Sequence, residues 1–195
     1  MGTPSGVASA VVRAINTLSQ MLIDRGEDAS GLTALSDAEI ASSVSGSSTV
    51  RFDTGSRDII FFLEKSKKSD ISKAASRTED DRKSDAIIVT SGPPLTAIQA
   101  GIVNGHFGKK SEVFQLASLG FNIARHRFVP RHELVKRDDV PTLMEKLMIS
   151  DLTQLPAIEY RDPMARYIRA DRGDVVRIAR VCPTAGSQTA YRHCR

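Results

Sequence analysis

The sequence predicts an α/β layered domain over residues 1–124, followed by a small α+β unit over 125–195. Three observations carry this. Two short apolar runs, Ile59–Leu63 and Ala86–Val89, are rich in β-branched residues and stand among helical patterns, as strands buried on both faces do. Near the C-terminus, a one-turn helix signal at Asp162-Pro163 feeds a hairpin pattern running to His193. Charge also divides the chain. Residues 1–120 carry 13 Lys+Arg against 14 Asp+Glu, whereas 121–195 carry 14 against 9, and 12 of those 14 cations are arginine. Arginine forks suit carboxylates and phosphates across an interface, although a solvated basic surface has the same composition.

The chain has 195 residues, 41% hydrophobic, enough for a core in one large or two small domains. Two cysteines, Cys182 and Cys194, are too few for a disulfide framework. No long apolar run suggests a membrane span, and the N-terminus lacks the layout of a signal peptide, so an intracellular protein is expected.

From the start, Met1–Gly6 reads as a frayed end. Val11, Ile15, Leu18 and Leu22 then recur at helical spacing, widened by Val12 and Met21, and Gly26 ends the helix after Asp24-Arg25. Ser36 and Glu39 form a capping box for a short second helix, with a polar linker over Ser42–Thr49. Between the two buried strands, Ser66–Lys83 is charged and serine-rich, a solvated helix or a loop. Gly92-Pro93-Pro94 leads into an apolar helix from Thr96 to about Val103. Val113–Leu116 and Phe121–Ile123 read as short strands, and His126–His132 as an extended crossing segment around Pro130. Val140–Met148 is an amphipathic helix, and Ile158–Tyr160 can pair as a strand.

Asp162 caps the free N–H groups of the next helix, and Pro163 suits its first position. Arg172-Gly173-Asp174 is a tight turn. Val175, Val176 and Ile178 form a strand with Arg177 and Arg180 between apolar positions; Thr184–Ser187 turns, and Thr189–His193 returns.

These last residues resemble the C-terminal assembly domain of the fifth subunit shared by nuclear RNA polymerases I, II and III, and the smaller archaeal homologue of that domain. The family pattern Asp-Pro-Val-Ala-Arg-Tyr, Gly-Asp-Val-Val-x-Ile-x-Arg, Thr-Ala-Gly and Tyr-Arg is answered here by Asp162–Tyr167, Gly173–Ile178 with Arg180, Thr184–Gly186, and Tyr191-Arg192. His126–His132 is similar to the family's His-x-Leu-Val-Pro-x-His, with Phe128 for leucine. Arg13-Ala14-x-x-Thr17 and Met21-x-x-Asp24-Arg25-Gly26 are similar to the opening helix of the eukaryotic jaw domain. Departures include Glu27 where the family has an aromatic, Arg169 for a glycine, and Cys182-Pro183 for Ser-Glu.

The resemblance implies an N-terminal jaw on a restriction-endonuclease-like core without catalytic residues, and a non-catalytic polymerase subunit in the nucleus, or in a viral particle or virus factory if the source is a large DNA virus. The implied partners are the largest polymerase subunit, other subunits and, through the complex, downstream duplex DNA. No membrane, small-molecule substrate or cofactor is implied. The DNA-approaching loop is Pro93, Pro94 and Thr96; a helix N-terminus there could meet phosphate. The expected subunit interface is His126, Pro130, His132, Asp162, Pro163, Arg166, Tyr167, Gly173, Asp174, Arg177, Arg180, Thr184, Gly186, Tyr191 and Arg192.

Competing chemistries fare poorly. A metal-dependent nuclease needs Glu-x-Lys on one strand face, yet Glu64 is followed two places on by Ser66, with Asp58 as the lone preceding acid. A zinc site would need closely spaced Cys or His pairs, which are absent. His126, His132, Asp138 and Asp139 lack an accompanying nucleophile. A free-standing DNA-binding module would call for a more basic N-terminal domain.

Overall fold

A computed structural model describes residues 4–45, 47–54, 57–63, 86–92, 111–182 and 186–195, side chains of Pro4, Ser5 and Cys182 excepted. The expected turn at Pro93-Pro94, the helix from Thr96, the Ser66–Lys83 segment, Glu64–Ser66 and Thr184 lie outside the described residues. The chain divides into two compact units, Met1–Phe121 and Asn122–Arg195.

In the first unit, helix α1 spans Pro4–Asp24, so the expected frayed end is helical from residue 4. Val11, Ile15, Leu18 and Leu22 are buried on one stripe, while Arg13, Asn16 and Gln20 are exposed. By length and composition Gly6–Asp24 could cross a membrane, contrary to the reading that no run qualifies; its buried stripe is that of a core helix. A Schellman motif stops it. Gly26 adopts φ 76°, its N–H reaches the Ile23 carbonyl at 2.9 Å, and the Glu27 N–H reaches the Leu22 carbonyl at 2.9 Å.

After α2 (Ser30–Thr33), the capping box starts α3 (Asp37–Val44): the Glu39 N–H donates to Ser36 Oγ, and Glu39 Oε2 accepts from the Ser36 N–H. The linker expected from Ser42 is therefore shorter. Ser42 and Ser43 stay helical by donating their hydroxyls to the Glu39 carbonyl. The Ser36 hydrogen bonds hold the Glu39 carboxyl below its ordinary pKa. A depressed acid contributes stability above its unfolded pKa and loses it as pH falls through the folded one. Glu39→Gln should therefore cost stability at neutral pH and progressively less under acid, read as converging urea midpoints of the two proteins.

The sheet runs β1 (Thr49–Asp53), β2 (Asp58–Phe62), β3 (Ala86–Thr90), β4 (Glu112–Gln115), in that order. β1 is antiparallel to β2, and the other two pairings are parallel. Every residue of β2 and β3 is buried, as the apolar runs require. β1 falls partly inside the expected linker, yet Val50 and Phe52 alternate inward around exposed Arg51. Phe52 then meets Phe61 edge-on at 5.7 Å.

Charge is also buried in this unit. Arg25 grips Glu112 with both guanidinium nitrogens at 2.8 Å; Arg57 bonds the same carboxylate at 3.2 Å and Glu27 at 3.0 Å. Glu27 thus supplies a second carboxylate to this Arg–Glu network. Asp58, almost wholly buried, is met by Arg51 at 2.7 Å.

In the second unit the expected strand Phe121–Ile123 is absent. The Asn122 side chain accepts the Ala124 N–H at 2.9 Å and opens a 3-10 turn, Ile123–Arg125. The crossing segment is likewise mostly turn. The Val129 N–H bonds the His126 carbonyl, and pairing begins only at β5 (Arg131–Leu134). Helix α4 (Val140–Leu147) buries Leu143. The strand expected at Ile158–Tyr160 is β6, Ala157–Ile158. α5 (Pro163–Tyr167) precedes the hairpin β7 (Val175–Cys182) and β8 (Gly186–Cys194), so the returning strand starts three residues earlier than expected. Sheet order is β5-β7-β8-β6, with β6 parallel to β8 and the other pairs antiparallel.

Candidate subunit-docking face

α5 is built as its sequence dictates. Asp162 Oδ1 accepts the N–H groups of Met164 at 2.8 Å and Ala165 at 3.3 Å, and Pro163 needs no donor partner. The helix ends in a second Schellman motif: the Arg169 N–H bonds the Arg166 carbonyl, and the Ala170 N–H bonds the Ala165 carbonyl. Arg169 occupies the left-handed position at φ 57°, which explains a glycine in the family pattern. A side chain there costs about 1–2 kcal/mol, partly offset by glycine's backbone entropy. Arg169→Gly should accordingly stabilise the chain by about 0.5–1 kcal/mol, read from the urea midpoint.

The turn seats α5 on the sheet's end. Gly173, at φ 94°, donates its N–H to the Cys194 carbonyl, Asp174 Oδ2 accepts the Asp171 N–H, and the Cys194 N–H reaches the Asp174 carbonyl. Along β7, Val176 and Ile178 point inward with Ala165, Ala170, Ile158 and Cys194, forming one core. Period-two alternation sends Arg177 and Val181 to the opposite, outer face.

The expected interface residues fall into two groups. Asp162, Tyr167, Gly173 and Asp174 act inside the unit. Tyr167 is buried, its hydroxyl accepting from the Asn122 amide at 3.0 Å, and Asp174 also faces Arg137 at 3.2 Å. Arg192 is half-buried and donates to the Ala157 carbonyl at 2.9 Å, tying β6 to β8. His132 Nδ1 lies 2.7 Å from the Pro130 carbonyl, which places the ring proton on that nitrogen. The exposed group is His126, Pro163, Arg177, Arg180 and Gly186, with Tyr191 and Arg166 half-exposed.

Exposed side chains that sequence reasoning missed lie nearby. Arg131 and Arg177 converge on Glu133 at 2.7 and 3.6 Å, a ladder fixed by the Glu133↔Arg177 register. Arg161 donates to the Tyr160 hydroxyl at 2.8 Å, and Arg172 lies over that ring at 4.3 Å; hydrogen bonds from both arginines lower the phenol pKa. Val181 and Phe128 are exposed apolar residues, Phe128 lying under the Arg127 guanidinium at 4.5 Å. Alternation could have exposed Val181 in advance, since it shares a parity with Arg177.

Among the described residues no three His, Cys, Asp or Glu side chains converge as a metal site would require. Cys194 fills a core position, and its burial raises the thiol pKa. The sheet presents exposed arginines, scattered apolar groups and a hairpin edge.

Known proteins resemble the same region. The family described as RNA polymerase Rpb5, C-terminal domain, matches residues 121–194. DNA-directed RNA polymerase subunit Rpo5 of Methanococcus maripaludis is 43% identical over 70 residues, covering 36% of this chain and 88% of the relative. Its counterpart in Staphylothermus marinus is 43% identical over 72 residues, 37% of this chain and 78% of the relative. In Dictyostelium discoideum, the DNA-directed RNA polymerases I, II, and III subunit rpabc1 is 40% identical over 83 residues, 43% of this chain and 42% of that one. The likeness thus falls on the unit built by Asp162, Gly173 and the β7–β8 hairpin, and through it this chain belongs to the Rpb5/Rpo5 family of RNA polymerase subunits.

Proposed function

We propose that the chain is a non-catalytic structural subunit of a multisubunit DNA-dependent RNA polymerase in the nucleus. The observation that carries this is the match of residues 121–194 to the Rpb5 C-terminal domain family, together with coverage of 88% of an archaeal Rpo5. That unit docks on the largest subunit. Its exposed Arg177 and Arg180, with Pro163, Tyr191, Arg166, His126 and Gly186, make the contact, while Asp162, Tyr167, Gly173, Asp174, Pro130, His132 and Arg192 hold its shape. Thr184 belongs to the docking hairpin by sequence.

The N-terminal unit is a jaw near downstream duplex DNA, approached by Pro93, Pro94 and Thr96. Its four-stranded mixed sheet with a long flanking helix is compatible with a restriction-endonuclease-like core. The Asp58 carboxylate is engaged by Arg51, which favours a scaffold over a metal ligand. Docking through these groups leaves the jaw to hold DNA without cleaving it.

Purifying the tagged full chain from its own cells at moderate salt should recover the large catalytic polymerase subunits. Arg177→Glu combined with Arg180→Glu, which reverses an exposed charge on each side of β7, should cut that recovery about tenfold or more, since like-charge juxtaposition in an interface costs several kcal/mol. Recovery of monomer alone with the unaltered chain would overturn the proposal.

A further inference from the structure

The outer edge of β8 is unusually open for its length. β6 covers only His193 and Cys194 of this nine-residue strand. Pro156 then ends the pairing, because upstream of its carbonyl, which accepts the His193 N–H, the proline has no N–H and the chain leaves through the 3-10 turn Leu152–Gln154.

Parity identifies the open groups. The Cys194 N–H points to β7, at Asp174, and the His193 N–H points to the β6 side, at Pro156. Antiparallel strands alternate in this way, so Ser187, Thr189 and Tyr191 present their N–H and C=O groups outward, while Gln188, Ala190 and Arg192 bond β7. Each outward residue offers one donor and one acceptor. Among the described residues no other strand meets this edge.

The edge also lacks protection. β8 contains no Lys, Pro, Asp or Glu, the residues that usually blunt such edges. From Val175 to Cys194 the sequence holds Arg177, Arg180 and Arg192 and no carboxylate. The Glu133 carboxylate that meets Arg177 is shared with Arg131, and Arg192 turns to the Ala157 carbonyl, so the hairpin keeps a net positive charge through Arg177 and Arg180. A second copy would bring the same positive charge to the contact. An acidic strand would neutralise it, lying about 5 Å from β8 and about 10 Å from β7, within reach of long side chains.

Resting on the docking function proposed above, we infer that β8 captures an extended, acidic segment of a polymerase subunit as an added strand, hydrogen-bonded to Ser187, Thr189 and Tyr191. Main-chain bonds supply the affinity, and the arginines select an acidic segment.

Amide hydrogen exchange, resolved residue by residue with electron-transfer fragmentation, tests this in the free full chain and in the purified polymerase. The amides of Ser187, Thr189 and Tyr191 should exchange freely in the free chain and slow about tenfold or more in the complex. Gln188 and Ala190 should be protected in both. Thr189→Pro, which removes one outward donor while leaving the β7 bonds, should lower recovery of catalytic subunits about tenfold at an unchanged melting temperature. Equal exchange of the outward amides in both states would overturn the inference, even with polymerase recovered normally. Protection accompanied by a homodimer of the free chain in analytical ultracentrifugation would overturn it in favour of self-pairing. If the unaltered chain recovers no catalytic subunits, the function itself fails and the inference falls with it.

Discussion

Replacing Glu112 with alanine should cost about 3–5 kcal/mol of folding stability. Glu112 is the shared acceptor of Arg25 and Arg57, whose side chains are only 5% and 8% exposed. Removing the carboxylate takes the bidentate acceptor from Arg25 and one of two carboxylates from Arg57, in a region of low dielectric. The surviving Glu27 is the more exposed carboxylate and lies near Arg57 alone among the contacts above. Urea unfolding of the full chain followed by far-UV circular dichroism measures the loss. Glu27→Ala should cost less, because Glu27 is 21% exposed and its removal still leaves Arg57 bonded to Glu112. A loss below about 1 kcal/mol for Glu112→Ala would place the network among ordinary surface pairs and refute its buried role.

Two adjacent residues of β7 should behave in opposite ways. Ile178→Ala should remove about 2–5 kcal/mol, since Ile178 is 3% exposed against Ala165, Ala170 and Cys194 and its truncation leaves a cavity. Arg177→Ala, one position earlier on the exposed face, should change stability by less than about 1 kcal/mol, because its partner Glu133 is itself exposed and already paired with Arg131. Assembly should reverse the ranking: Arg177→Ala should leave a folded chain that recovers less polymerase. Thermal unfolding and affinity recovery, measured on both variants, separate the two faces. Equal destabilisation by both substitutions would contradict the strand's alternation.

Local signals were legible in the sequence because they act over a few residues. Gly26, the Ser36–Glu39 capping box, Asp162-Pro163 and the reciprocal Asp171–Asp174 bonds of the turn each satisfy backbone groups within about one helical turn. The all-apolar runs of β2 and β3 announce burial on both faces. The same locality explains the errors. Asn122 could extend or fold back onto its own backbone, and the hydrogen bond to Ala124 decides for the turn. Pro130 permits an extended crossing, but the Val129–His126 bond closes a turn before it.

Residue order alone was enough to make the C-terminal unit a helix feeding a hairpin, and the ordered matches from Asp162 to Arg192 pointed to its family. What those residues do emerged from the folded chain. It draws Tyr167 and Asp174 inward, leaves Arg177 and Arg180 outside, and puts a non-glycine side chain in the left-handed position at Arg169. It also joins Arg25 to Glu112 across 87 residues and stops β6 at two residues, exposing the edge of β8. Such pairings depend on which distant strands meet, and no short window of sequence holds both partners.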